Sequence, residues 1–258
     1  MCVAVALSLS MTACRSREPA TDTERSARGR EILERVSTTL GAARTLAVDT
    51  QEERVQKGSG GDPRDVRLTR RTIVRRPDRL YFKATGGRDV EGWYDGVGLT
   101  LALHHDKVFA QARMPETLDR SLDAIAERYG MTLPLADFLY SSPAKVLLTD
   151  TASGGWVGAE VIGDDETDHL AYKDKGVTWD LWVATTGDRL PRRARVVLAE
   201  DRRLQSVDIT FSRWDLAPSI PADRFKPAVP GDYEGIAMIQ RAAVLQNTAD
   251  EPTATTGK

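Results

Sequence analysis

The sequence predicts an α+β fold, a strongly curved and mostly antiparallel sheet wrapped around a few helices. Three observations carry that expectation. Short β-rich runs broken by Gly, Pro and Asp recur along most of the length of the 258-residue chain. Most links between them are too short for parallel crossovers, which take a dozen residues or more. Several runs alternate apolar with polar side chains, as expected for a sheet with one buried face. About eleven strands with so few helices to cover them imply a half-barrel, because large flat sheets are rare and their edges must be managed.

The first element is a helix over residues 23–43. Thr21 and Glu24 have capping-box spacing, Ile32, Leu33, Val36 and Leu40 share one side, and Glu31 and Arg35 are placed to pair across one turn. Six strands follow at Thr45 to Val55, Val66 to Arg75, Arg79 to Thr85, Asp89 to Tyr94, Leu99 to Leu103 and Lys107 to Arg113. Residues 116–129 then read as a helix, with Leu118, Leu122, Ile125, Ala126 and Tyr129 at helical spacing, Pro115 in a first-turn position and Gly130 as the stop. Two short helical turns are expected at Pro134 to Tyr140 and Pro143 to Leu148. Strands resume at Trp156 to Gly163, Asp168 to Lys173, Val177 to Val183, Arg192 to Ala199 and Leu204 to Phe211.

The apolar alternation is clearest at Leu80 and Phe82, at Trp179 and Leu181, and at Ile209 and Phe211. These six are the candidate lining of a concave apolar ligand face. The alternative is plain packing against the helices, since alternation shows a buried face without showing a cavity.

The termini differ in character from this body. Residues 1–13 carry no charge and are too few to span a bilayer, which takes roughly 20, so they read as a signal-peptide core without the usual basic start. They end in Met11-Thr12-Ala13-Cys14, which resembles a bacterial lipobox and implies lipidation of Cys14, with diacylglyceryl and palmitate-type chains as the membrane anchor. Residues 14–22 form the expected tether, 23–245 a single domain, and 246–258 a disordered tail. Arg15 stands after the cysteine where enteric lipoproteins retained at the inner membrane carry Asp, so the lipoprotein resemblance implies outer-membrane sorting, on the side facing the periplasm.

Composition excludes several function classes. The chain has 36 Lys plus Arg against 38 Asp plus Glu, so no global field draws it to nucleic acid. Its two cysteines, Cys2 and Cys14, allow neither a disulfide framework nor a Cys-based zinc cluster. No G-x-S-x-G elbow is present, and Gly58-Ser59-Gly60-Gly61 lacks the ending of a phosphate loop and reads as a flexible hairpin loop. His104-His105-Asp106 fits a hairpin tip better than a metal site, and the acidic run Asp164 to His169 lacks the glycine and glutamate of a calcium loop. No catalytic residue, metal or cofactor is implied. Arg67 to Arg79 is the densest basic segment, and in an exported protein Arg71, Arg75 and Arg76 are candidate contacts to phosphate headgroups. A solvated strand face is the simpler reading of the same residues.

Particular residues carry a family resemblance. They are Arg76-Pro77-Asp78-Arg79-Leu80, Trp93-Tyr94-Asp95-Gly96, Pro115-Glu116-Thr117-Leu118-Asp119, Leu133-Pro134-Leu135-Ala136-Asp137 and Trp179-Asp180-Leu181-Trp182 before Leu190-Pro191-Arg192. Over residues 25–235 the chain resembles predicted periplasmic proteins with a fold related to the LolA, LolB and LppX/LprG carriers, and more distantly to the sensor RseB. The resemblance implies a non-enzymatic envelope lipoprotein whose sheet holds a lipid or the acyl chains of a lipoprotein, as carrier or acceptor. The rival it implies is a sensory module that binds an envelope protein partner. Residues 115–148 would then be the lid of the concavity.

Overall fold

The computed structural model describes residues 21–57, 62–87, 89–131, 135–149, 152–198 and 204–238. The signal segment, Cys14, most of the tether, the Gly58 to Gly61 loop and the 246–258 tail lie outside the described residues.

Helix α1 spans Asp22–Ala42 and opens as its sequence directs. Thr21 Oγ1 accepts the Glu24 N–H at 3.2 Å, and Glu24 Oε2 accepts the Thr21 N–H at 2.9 Å. Such reciprocal capping stabilises a helix start by about 1 kcal/mol. Glu31 and Arg35 approach to 3.8 Å on the exposed side. The opposite side buries Ile32, Leu33, Val36 and Leu40.

Strands β1 (Thr45–Lys57), β2 (Pro63–Arg75), β3 (Arg79–Thr85), β4 (Val90–Tyr94), β5 (Gly98–Leu103) and β6 (Val108–Arg113) follow as successive antiparallel hairpins. Helices α2 (Leu118–Tyr129), α3 (Ala136–Leu139) and α4 (Pro143–Leu147) form the interlude. Then come β7 (Ser153–Ile162), β8 (Asp165–Asp174), β9 (Val177–Ala184), β10 (Pro191–Leu198), β11 (Leu204–Asp215) and β12 (Glu234–Ile236). All twelve belong to one sheet in the order β12-β6-β5-β4-β3-β2-β1-β11-β10-β9-β8-β7. The two meanders join through the antiparallel β1–β11 pair, and only β12 runs parallel to its neighbour, β6.

The curvature follows from packing. Side chains of α1 share one core cluster with Val48 of β1, Ile209 of β11, Ala194 of β10, Leu181 of β9, Leu170 of β8 and Trp156 of β7. Six adjacent strands span roughly 24 Å, while a helix with its side chains is about 10–12 Å across. A single core shared by α1, the interlude residues Leu135 and Phe138 and all six strands requires the sheet to bend around the helices. The approach at the far end is tight. A Cβ on Gly155 of β7 would lie 2.5 Å from the Arg25 carbonyl oxygen and 2.7 Å from the Ser26 nitrogen of α1. On α1, a Cβ on Gly29 would lie 2.8 Å from the Gly155 Cα. Beside this contact, Arg28 lies 4.0 Å above the Trp156 ring and pairs with Asp168 at 2.8 Å.

Three details differ from the sequence expectation. Helix α2 starts at Leu118 with Thr117 as N-cap, so Pro115 precedes the helix and its carbonyl accepts bonds from the Tyr94 and Ser121 hydroxyls. Gly130 does end it, at φ 62°. Second, β12 has three exposed residues and no apolar alternation to betray it. Third, the single apolar face holds at β10 and β11, whose outward residues include Arg193, Arg195, Asp208 and Thr210, but not at β1–β5. There Ala47, Ile73, Tyr81, Trp93 and Ala102 build a second core on the outer face, covered by Phe225, Ile220, Val229 and Tyr233 of the segment after β11.

Replacing Gly155 by Ala should therefore push α1 off β7 and lower unfolding stability in urea by about 1–3 kcal/mol. Gly158→Ala, where nothing lies within 4 Å of the new Cβ, should leave it close to unchanged.

Candidate functional site: two apolar pockets on the helical face

Among the described residues, the helical face of the sheet carries two separate apolar pockets. The first, about 200 Å³, lies on the β1–β5 half and is lined by Leu80, Phe82, Val90, Leu99 and Leu101 of the sheet and by Ile125 and Met131 at α2, with Arg54 and Arg70 in its wall. The Phe82 ring lies flat over Gly92, where a Cβ would sit 2.3 Å from the ring. The absence of a side chain at Gly92 therefore sets how low the ring rests. The second pocket, about 390 Å³, lies on the β9–β11 half under α3 and α4. Its lining includes Phe138, Val146, Trp179, Leu181, Val207 and Ile209.

The six apolar candidates thus divide. Leu80 and Phe82 line the first pocket; Trp179, Leu181 and Ile209 line the second. Phe211 lines neither. It packs edge-on to Phe138 at 5.6 Å and stacks on Trp214 at 5.2 Å. Trp214 and Leu216 touch both helical-face cores, and so mark the boundary between the two halves. Residues from 115–148 wall both pockets, Ile125 and Met131 the first, Phe138 and Leu147 the second.

The three candidate headgroup arginines stand elsewhere. Strand parity places Arg71 and Arg75 with Ile73 on the outer face. There Arg71 holds both Asp49 carboxylate oxygens at 2.8 Å, and Arg75 lies over the Phe225 ring at 4.8 Å. Arg76 is turned inward and donates to the carbonyls of Leu139 at 2.7 Å, Tyr140 at 2.9 Å and Leu40 at 3.4 Å. It caps the ends of α3 and α1 together, and burial pulls its pKa below the ordinary arginine value. The basic residues at the first pocket are instead Arg70, from the same segment, and Arg54; Lys175 borders the second, and Arg71 borders a separate polar pocket with Asp49, Tyr81 and Arg224. Alternation from Val74 through Thr72 to Arg70 and Leu68 could have shown that Arg70 shares the apolar face.

The histidines are each engaged. His104 lies 2.8 Å from the Tyr233 hydroxyl and 3.0 Å from Glu91, and His105 is 3.0 Å from Asp106. His169 sits between Glu160 at 2.7 Å and Asp180 at 2.8 Å, stacked on Trp182. Among the described residues no group of three His, Cys, Asp or Glu is placed to hold a metal. The acidic run ends up in several contacts, with Asp165 on Arg192 and Asp168 on Arg28 and Trp156.

One titratable group was missed by the sequence reading. Asp137, in α3, lines the second pocket, where crowding by the surrounding protein pushes its carboxyl pKa up from the ordinary 3.8 although the residue keeps an exposed surface. A carboxyl held up in the folded state binds its proton more tightly there than in the unfolded chain. Its stabilising contribution is complete below the ordinary carboxylate range and is lost as pH rises through the folded value. Asp137→Asn should thus be more stable than the parent at pH 7, with the difference shrinking toward pH 4, as read from thermal melts across that range.

Among solved structures, the chain is similar to the lipoprotein LppX of Mycobacterium tuberculosis, at 15% identity and a TM-score of 0.45, covering 74% of this chain and 97% of that one. It is similar to LprF of Mycobacterium bovis at 12% identity and a TM-score of 0.44, covering 81% and 99%. Similarity extends to MucB in the MucA/MucB complex of Pseudomonas aeruginosa, at 12% identity and a TM-score of 0.39, with 81% of this chain but only 63% of that one covered. No curated protein matches the sequence. A family model described as predicted periplasmic protein matches residues 29–239, and the chain therefore belongs to that family, DUF2092.

Proposed function

We propose that the protein is a non-catalytic envelope lipoprotein that binds a hydrophobic ligand, a lipid or the acyl chains of a lipoprotein, against the helical face of its sheet. The observation that carries this reading is the pair of apolar pockets left between the sheet and the interlude helices, where a one-sided sheet could have been filled completely. Each methylene withdrawn from water there is worth about 0.8 kcal/mol, so even a partly sheltered chain binds appreciably. Apolar contact of this kind discriminates weakly among chains.

Native mass spectrometry of the purified full chain with acyl-chain probes tests the reading. Leu101→Trp in the first pocket and Val196→Trp in the second, both at partly buried lining positions, should each lower lipid occupancy several-fold while the melting transition stays cooperative. Unchanged occupancy in the double variant would overturn it.

Attachment to the membrane through Cys14 is part of the same proposal. Cys14→Ser should abolish radiolabelled palmitate incorporation and move the protein from the membrane fraction to the periplasmic extract. Retention on the membrane with no label would show that Cys14 is not the anchor.

The sensory reading is favoured by one observation. The last strand of the sheet, β7, exposes Val157 and Val161, 47% and 68% accessible, and an extended partner segment could add to such an edge. A stable envelope protein that co-purifies equally with the pocket-filled double variant would select this reading over the carrier.

A further inference from the structure

The first pocket carries a charge arrangement that an apolar cavity does not need. Strand β1 places Thr50, Glu52 and Arg54 on the helical face, and β2 brings Arg70 opposite. The Glu52 side chain is wholly buried, Arg54 is 19% and Arg70 9% accessible at the side chain. Arg54 donates to Glu52 Oε2 through Nε at 3.0 Å and through Nη2, while Arg70 Nε donates to Glu52 Oε1 at 2.7 Å. One carboxylate is therefore shared by two guanidinium groups, leaving the triad with one uncompensated positive charge. Both arginines border the pocket, and the Arg70 guanidinium lies 5.3 Å from the centre of the Phe82 ring that forms its floor.

The unspent donors are in the same place. Among the described residues Arg70 is hydrogen-bonded only through Nε, so its two Nη groups are available at the wall of the cavity. The remaining charged lining residue, Asp89, is turned to its own hairpin, where its Oδ1 accepts the Gly86 N–H at 2.9 Å. A partly desolvated cation with free, planar donors beside an apolar cavity matches a ligand with an anionic head and an apolar tail.

We infer that the first pocket is a site for an anionic amphiphile, its alkyl chain lying against Leu80, Phe82, Leu99 and Leu101 and its carboxylate or phosphate held by Arg70 and Arg54. Glu52 is a positioning residue. It orients both guanidinium groups by their Nε edges and reduces the positive charge they would otherwise force on one another. The inference rests on the proposed apolar binding role and adds the ligand's charge and the position of its head.

Calorimetric titration of the full chain with decanoate, decyl phosphate and decanol tests it. Wild-type protein should bind at least one of the anions about tenfold more tightly than decanol, and which one is preferred separates a carboxylate from a phosphate ligand. Arg70→Gln should erase that preference, lowering anion affinity about tenfold more than decanol affinity. Glu52→Gln, which frees donors on both arginines, should strengthen anion binding wherever its melting transition remains cooperative. Equal binding of anion and alcohol by the wild type would overturn the headgroup site while preserving the apolar pocket. Failure of all three probes would overturn the pocket reading itself, and the headgroup site with it.

Discussion

The architecture depends on the contact between α1 and β7, the two elements that are brought together last along the curve of the sheet. Two glycines, Gly29 and Gly155, let a helix and a strand meet with their backbones nearly touching. That contact fixes one end of the sheet, while the β1–β11 pair holds the other side of this half, at the middle of the sheet. Between them the strands must arch, and the arch, filled by Ile32, Leu33, Val36 and Leu40, leaves unfilled space under α3 and α4. The second pocket is a by-product of a helix too narrow to fill the arch it imposes.

The other half of the sheet is built differently. Strands β1–β5 are apolar on both faces, with α2 covering one and the segment after β11 covering the other. A sheet sandwiched in this way is held from both sides, which suits it to carry a buried Arg-Glu-Arg triad. Arg76 joins the halves, because one guanidinium caps the last turns of α1 and α3 from the turn between β2 and β3. Its two Nη groups meet three carbonyls that would otherwise end their helices unsatisfied, while its buried Nε makes no hydrogen bond.

Much of this was legible in the residues. Alternation at Leu80 and Phe82, Trp179 and Leu181, and Ile209 identified the face that the pockets occupy, because strand parity is local and survives any tertiary arrangement. Phe211 shares the same parity and was indistinguishable from them, yet Phe138 and Trp214 enclose it. Whether a buried side chain borders a void or a neighbour is settled by elements distant in sequence. The arginine cluster shows the same limit. Arg70, Arg71, Arg75 and Arg76 looked equivalent as a charge run, but successive residues of a strand face opposite ways, and of these four Arg70 is the one that borders the first apolar pocket, while Arg71 borders a polar pocket with Asp49 and Arg224.

The sequence alone determined the order of the helices and of strands β1–β11, the capping of α1 at Thr21, the stop at Gly130 and the antiparallel hairpins, all of which rest on interactions within a few residues. It left open the shape of the space between sheet and helices. Only the tertiary structure decided that the apolar space on the helical face divides between the β1–β5 and β9–β11 halves, that the outer face of β1–β5 is a second core, and that Glu52 lies between Arg54 and Arg70. These features arise from residues as far apart as Val48 and Trp156, or Tyr81 and Phe225. Their packing depends on how the sheet bends, and no local pattern encodes that.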